Sequence, residues 1–396
     1  MRKKRPRKTT STKGAELSLS ATPVSPGKSP AARYDARSNY ASLNGLRALA
    51  ALAVVAFHFM PVDKDTTIGA LVACGPAAVG FFFLLSGFVL AHRHPSTPHK
   101  TDFYWARFVR IYPMYLLAFI LFLPLAIQKY HATPHLLPIA AGLNILMIQS
   151  WTPLSQSWNG PSWSLSVEAF LYLTFPFLVG PIGRVNRRVL WLFAAMIPAA
   201  CTIPFCLGII PTPLWRSWIG NNPAFFVPVF CLGISLGLWR SATSDTRKPM
   251  DAPIILVLTA IVLAAALWPA QLREVFINGG AVVLFAAAVV LCTYRTIFMG
   301  KILGNAVMDR LGKASYITYI VQAPLWHYFH AAINRSQHRG LADARTSLPE
   351  FLAFVVFLLL CSVFLDAVVD EPIRKRLNKL WKARTAPSRP LAPTSP

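Results

Sequence analysis

From Leu43 to Val369 the chain alternates apolar runs of roughly 17 to 25 residues with short polar turns, and at 1.5 Å rise per residue each run is long enough to cross a hydrocarbon core of about 30 Å. Backbone groups inside lipid must bond within their own segment, so the runs predict helices. The expected spans are 43–60, 68–91, 108–127, 161–181, 188–208, 223–239, 252–270, 276–297, 312–332 and 349–369. The predicted fold class is therefore all-α, a polytopic membrane helical bundle of about ten transmembrane helices. A shorter apolar run, 136–150, is expected to be re-entrant or interfacial, because an eleventh span would put the basic C-terminal tail outside.

Composition agrees with a chain whose solvent is mostly lipid: 55% of residues are hydrophobic, 14% are charged, and mean hydropathy is +0.47. The formal charge of +24 is concentrated in the two tails and in alternate turns. This layout predicts both termini on the cytoplasmic side. Residues 1–42 carry ten Lys or Arg in a Ser, Thr, Pro and Ala background and predict a disordered basic tail. The membrane domain is expected over 43–372 and a basic, Pro-rich cytoplasmic tail over 373–396. The N-terminal basic cluster is assigned to orientation and anionic lipid, with no nucleic acid partner expected. The six cysteines lie in or beside apolar runs with no CxxC pair, which points to packing and to no metal site.

Ionisable groups inside a span cost a few kcal/mol each, so they mark partners, wet cavities or function. Arg47 and His58 are eleven residues apart, about 1100° of helix rotation, and so share one face with His58 about 16 Å nearer the outside. Asn44 is placed to cap that helix. Arg107 and Arg110, three apart at the inner mouth of the third span, present two guanidinium forks suited to phosphate oxygens. Glu168 lies several residues inside the fourth span, sharing a face with Ser164 and Tyr172 at i, i+4 and i+8. It is expected to orient or balance His58 or an arginine.

These stretches resemble the motifs of acyltransferase family three, membrane enzymes that O-acylate lipopolysaccharide, exopolysaccharide and other glycans. Asn44 to His58 is similar to the family's Arg-x10-His signature, and Gly80 to Phe88 to its second-span motif. Arg107 to Pro113 resembles its Arg-x-x-Arg segment, Ser162 to Glu168 its Trp-Ser-Leu-Ser-x-Glu segment, and Asp370-Glu371-Pro372 its closing acidic-Pro motif. The chain departs from the family in two places. Val79-Gly80 stands where an Asp is usual, and Gln322 stands where a second His is usual, an amide that donates a hydrogen bond but exchanges no proton near pH 7.

The resemblance implies an enzyme of the bacterial inner membrane with no permanently bound cofactor. Its donor would be cytoplasmic acyl-CoA, most often acetyl-CoA, and its acceptor a carbohydrate or lipid-linked glycan hydroxyl on the outer side. Arg107 and Arg110 would hold the CoA phosphates, with Arg47 on the pantetheine arm or an inner carboxylate. His58 would act as general base or as acyl carrier, with Glu168 in support, and Trp163, Ser164 and Tyr172 would meet the acceptor, Trp163 by stacking on a sugar. A secondary transporter or flippase is the competing class, but the chain lacks the related halves such folds show.

Overall fold

The computed structural model describes residues 30–63, 65–211, 219–243, 249–337 and 346–385, and among these every regular element is helical. The main helices are α1 (Pro30–Phe59), α2 (Thr67–Ala73), α3 (Ala77–Arg93), α4 (Lys100–Lys129), α5 (Leu136–Ile145), α6 (Trp163–Ile182) and α7 (Arg187–Cys206). They continue as α8 (Pro223–Ala242), α9 (Asp251–Leu267), α10 (Val282–Leu291), α11 (Phe298–Leu303), α12 (Ala306–Ser336), α13 (Leu348–Leu365) and α14 (Glu371–Thr385).

Among the described residues five helices are long and apolar enough to cross a membrane, at Ala41–Phe59, Lys100–Lys129, Gly160–Ile182, Pro223–Ala242 and Leu348–Thr385. Two bent pairs raise the number to seven if each is one span: α2 with α3, bent by 43°, and α9 with the turn Ala270–Gly280, bent by 109°. The three remaining expected ranges fall on α7, α10 and α12, which that criterion does not include. α10 is only ten residues long, and α12 carries Asp309, Arg310, Lys313 and buried polar groups along its 31 residues. Large side chains such as Leu173, Leu192, Leu256 and Leu360 lie exposed on the outer faces, a surface that lipid rather than water would accommodate.

The sequence boundaries shift at both ends. α1 is already helical from Pro30, inside the stretch read as a tail, and residues 1–29 lie outside the described residues. Asn44 is consequently in mid-helix and caps nothing; its Nδ2 donates instead to Asp309 Oδ1 of α12 at 2.8 Å. At the other end α13 runs through a π-turn, Asp366–Asp370, into α14, so the start of the expected basic tail is helix to Thr385. The 136–150 run contains a ten-residue helix, α5, followed by a single 3-10 turn.

Helix α3 is apolar on all sides and is buried accordingly, packed against α8 most extensively and also against α1, α6 and α10. Close approach to α8 depends on glycine: a Cβ on Gly233 or Gly237 would collide with the backbone carbonyl of Leu84 or Phe88. The same device joins α1 to α12, where a Cβ on Gly312 would strike the Asn44 carbonyl. These two tight seams fix α1, α3 and α12 around the space described next.

Candidate functional site

Helices α1, α3, α4, α6, α12 and α14 enclose a cavity of about 1160 Å³, larger than the roughly 300–1,000 Å³ of common small-molecule pockets. Its lining includes ten Lys or Arg side chains against three acidic ones. Several of the cations lie toward helix ends: Arg93 closes α3, Arg107 and Arg110 lie within the first eleven residues of α4, and Arg310 and Lys313 within the first eight of α12. The inner wall is different, with Phe82, Leu165, Ser164 and Tyr319.

Glu168 is the carboxylate of the inner part. α6 presents it on the face shared with Ser164 and Tyr172, and the Tyr172 hydroxyl donates to Glu168 Oε1. Ser86 of α3 donates to the same oxygen at 3.0 Å. Arg47 of α1 lies within electrostatic reach of Glu168, Tyr172 and Arg110. Deeper in, the Ser164 hydroxyl donates to the Tyr319 hydroxyl at 2.8 Å, joining α6 to α12.

The start of α6 is held by a buried polar knot. Ser162 Oγ donates to Asn144 Oδ1 at 3.2 Å, Gln149 Nε2 to the Ser162 carbonyl at 3.0 Å, and Asn159 Nδ2 to the Ile320 carbonyl at 2.7 Å. Each bond satisfies a group that would otherwise be buried unpaired, at a cost of about 1–3 kcal/mol. The knot makes the turn before Ser164 a fixed support.

The paired arginines of α4 separate in role. The Arg107 guanidinium stands 5.7 Å from the Tyr172 ring centroid and 5.8 Å from that of Phe103, and it has no acidic partner among the described residues. Arg110 reaches Asp370 at 3.5 Å and lies over Tyr316. Asp370 is fully buried and also pairs with Arg374 at 2.9 Å; Asp366 meets Arg374 at 3.6 Å. Sequence reasoning noted Asp370, Ser86, Tyr316 and Tyr319 only as parts of motif segments, without a role, and passed over Asp366. The signal for the two aspartates was their spacing of four, which repeats at Arg374.

The cavity thus gathers Arg47, Arg107, Arg110, Ser164, Glu168 and Tyr172, but its lining includes neither His58 nor Trp163. His58 is an exposed residue at the far end of α1 whose ring contacts those of Phe57 and Phe59, and no contact joins it to Glu168 among the described residues. Of the two kinds of partner the sequence allowed for, an arginine, Arg47, is within electrostatic reach of Glu168. Trp163 packs its ring against Phe226 at 5.7 Å, and its carbonyl accepts from Ser150. The neighbour of His58 is Gln322. Gln322 is fully buried, its Nε2 donates to the Tyr319 carbonyl at 2.8 Å, and its Oε1 has no partner meeting hydrogen-bond geometry among the described residues. The residue that departs from the family pattern therefore lies beside the candidate proton carrier.

Among the described residues no group of three or more His, Cys, Asp or Glu is placed to hold a metal ion. The chain matches the acyltransferase domain family over residues 40–367. It is 30% identical over 370 residues to the acyltransferase MdmB of Streptomyces mycarofaciens, covering 87% of this chain and 94% of that one. A second relative, protein 2 in the picA locus of Rhizobium radiobacter, is 33% identical over 150 residues, 32% of this chain and 75% of its own. No solved structure matches the chain.

Proposed function

Since the chain belongs to acyltransferase family three and is a membrane acyltransferase, we propose that it transfers an acyl group, acetyl in the simplest case, from cytoplasmic acyl-CoA to a carbohydrate or glycolipid hydroxyl on the outer side of the bacterial inner membrane. In this reading α7, α10 and α12 cross the membrane with the seven segments described above, giving ten spans with both termini inside. The short α5 then lies at the interface.

The observation that carries the reading is the position of α12 between two environments. Tyr319 lines the inner wall of the cavity, and Gln322, three residues or about 4.5 Å further along the axis, adjoins His58. A donor with its phosphates at the cationic mouth would extend its thioester arm past Arg47 and Glu168 toward the Ser164–Tyr319 pair. The acceptor would approach from the His58 end. Neutral imidazole then takes the hydroxyl proton as the oxygen attacks the thioester carbonyl, or accepts the acyl group first and passes it on. Either route forms one O–acyl bond, breaks the C–S bond, and releases CoA as the thiol after it regains a proton.

The test is acyl-CoA-dependent transfer by purified protein in nanodiscs, followed as thiol release and as acceptor mass. His58→Ala is expected to abolish transfer at unchanged accumulation and unchanged donor binding. Transfer at the parent rate would remove His58 from the reaction.

A further inference from the structure

Resting on the acyl-CoA reading, we propose that α14 is a clasp for the phosphate end of the donor, with Lys375, Lys379 and Lys382 as its phosphate-binding side chains and Trp381 as its latch. The family match ends at residue 367, and of α14 only Glu371 and Pro372 belong to a stretch that resembles a family motif, so the clasp lysines lie beyond both.

Three observations carry it. The first is direction. α13, the π-turn and α14 form a continuous 38-residue helix, Leu348–Thr385, about 57 Å long at 1.5 Å per residue and nearly twice a hydrocarbon core. Its basic end must therefore project beyond the lipid. The cavity is lined by residues 371, 374, 375, 378, 379 and 382 of that end, a single stripe at i, i+3, i+4, i+7, i+8 and i+11. A helix held on the membrane surface by basic residues would turn that stripe to the headgroups, whereas here it faces the mouth.

The second is charge. Arg374 is taken up by Asp370 and Asp366, and Lys375 meets Glu371 at 2.7 Å. Lys379 and Lys382 have no acidic partner among the described residues, and neither has Arg107 of α4, which lines the same cavity. An opening with this excess of cations suits a ligand carrying several phosphates, as a nucleotide 3′-phosphate and pyrophosphate do.

The third is attachment. The Trp381 and Trp105 rings stack at 4.8 Å between centroids and 15° between planes, and Trp381 Nε1 donates to Asp102 Oδ1 at 2.8 Å. At its base α14 is tied to the same helix through Asp370 and Arg110. The clasp is thus fixed at two points to α4, the helix that carries Arg107 and Arg110, and the two helices form adjoining walls of one cavity.

The same phosphate chemistry belongs to anionic lipid headgroups, so binding is measured in nanodiscs of phosphatidylcholine alone and with phosphatidylglycerol added. The probes are acetyl-CoA and acetyl-dephospho-CoA, which lacks the 3′-phosphate. Against full-length protein, the variant carrying Lys375→Gln, Lys379→Gln and Lys382→Gln is expected to bind acetyl-CoA at least about tenfold more weakly in both membranes, with a shallower salt dependence and an unchanged thermal midpoint. It should also lose the preference for acetyl-CoA over acetyl-dephospho-CoA. Trp381→Ala, which leaves every cation in place, should weaken binding in the same direction. Parent-like affinity in the triple variant overturns the clasp while the donor assignment stands, and so does a loss confined to phosphatidylglycerol discs. Failure of the parent protein to bind acetyl-CoA in either membrane overturns both.

Discussion

Arg110 and Asp370, 260 residues apart in sequence, meet at 3.5 Å, with the carboxylate fully buried and Arg374 on its other side at 2.9 Å. One aspartate thereby joins the arginine segment of α4 to the base of α14. Two partly exposed guanidinium groups share this buried negative charge, so its removal leaves Arg110 without an acidic partner among the described residues and Arg374 with Asp366 alone.

Asp370→Asn is accordingly expected to lower stability by about 3 kcal/mol, the scale of breaking a buried ion pair. It should also loosen α14 from α4. The measurements are the thermal midpoint in nanodiscs and donor affinity, and both should fall. Parent values in both would mean that the pair contributes neither to stability nor to the mouth.

Gln322 tests the other end of the proposed path. Gln322→Leu keeps the volume but removes the amide beside His58, and the residue does not line the cavity. Turnover should drop about tenfold with the KM for acyl-CoA unchanged, as expected for the loss of the polar group beside the imidazole, about 1.4 kcal/mol in the barrier. An altered donor KM with normal turnover would place Gln322 in donor binding.

Gly312 tests the seam that holds α1 against α12. Gly312→Ala forces a Cβ into the Asn44 carbonyl, and overpacking of this kind costs about 1–3 kcal/mol. The midpoint should fall, whereas Gly142→Ala in α5, with nothing within 4 Å of the added Cβ, should leave it level or raise it slightly. Equal responses at the two positions would show that the close approach is not limiting.

Much of the site was legible because helical spacing is a local property. The three-residue interval between Arg107 and Arg110 and the i, i+4, i+8 series of Ser164, Glu168 and Tyr172 place side chains on one face, and in the structure those faces meet in one cavity. Which group each residue meets across the bundle was not legible. Glu168 is held by Ser86 and Tyr172, and Asn44, read as a cap, serves a contact to Asp309 because α1 starts earlier. The basic end was read as a tail because its charge outweighs its apolar residues. Ile373, Leu377, Leu380 and Trp381 nonetheless recur at i, i+4, i+7 and i+8, a helical stripe whose partner, Trp105, lies far away in sequence.

The π-turn at Asp366–Asp370 sets the phase of everything beyond it. A π-turn accommodates one residue more than an α-turn, and each residue is worth about 100° of rotation. Without that extra residue α14 would continue in the same direction but with its thread turned, and Leu380 and Ala383 would occupy the places of Lys379 and Lys382. Membrane anchoring by α13 and the sidedness of α14 are therefore separately adjustable: the length of the apolar run determines how far the basic end projects, and a single residue in the turn determines what it faces.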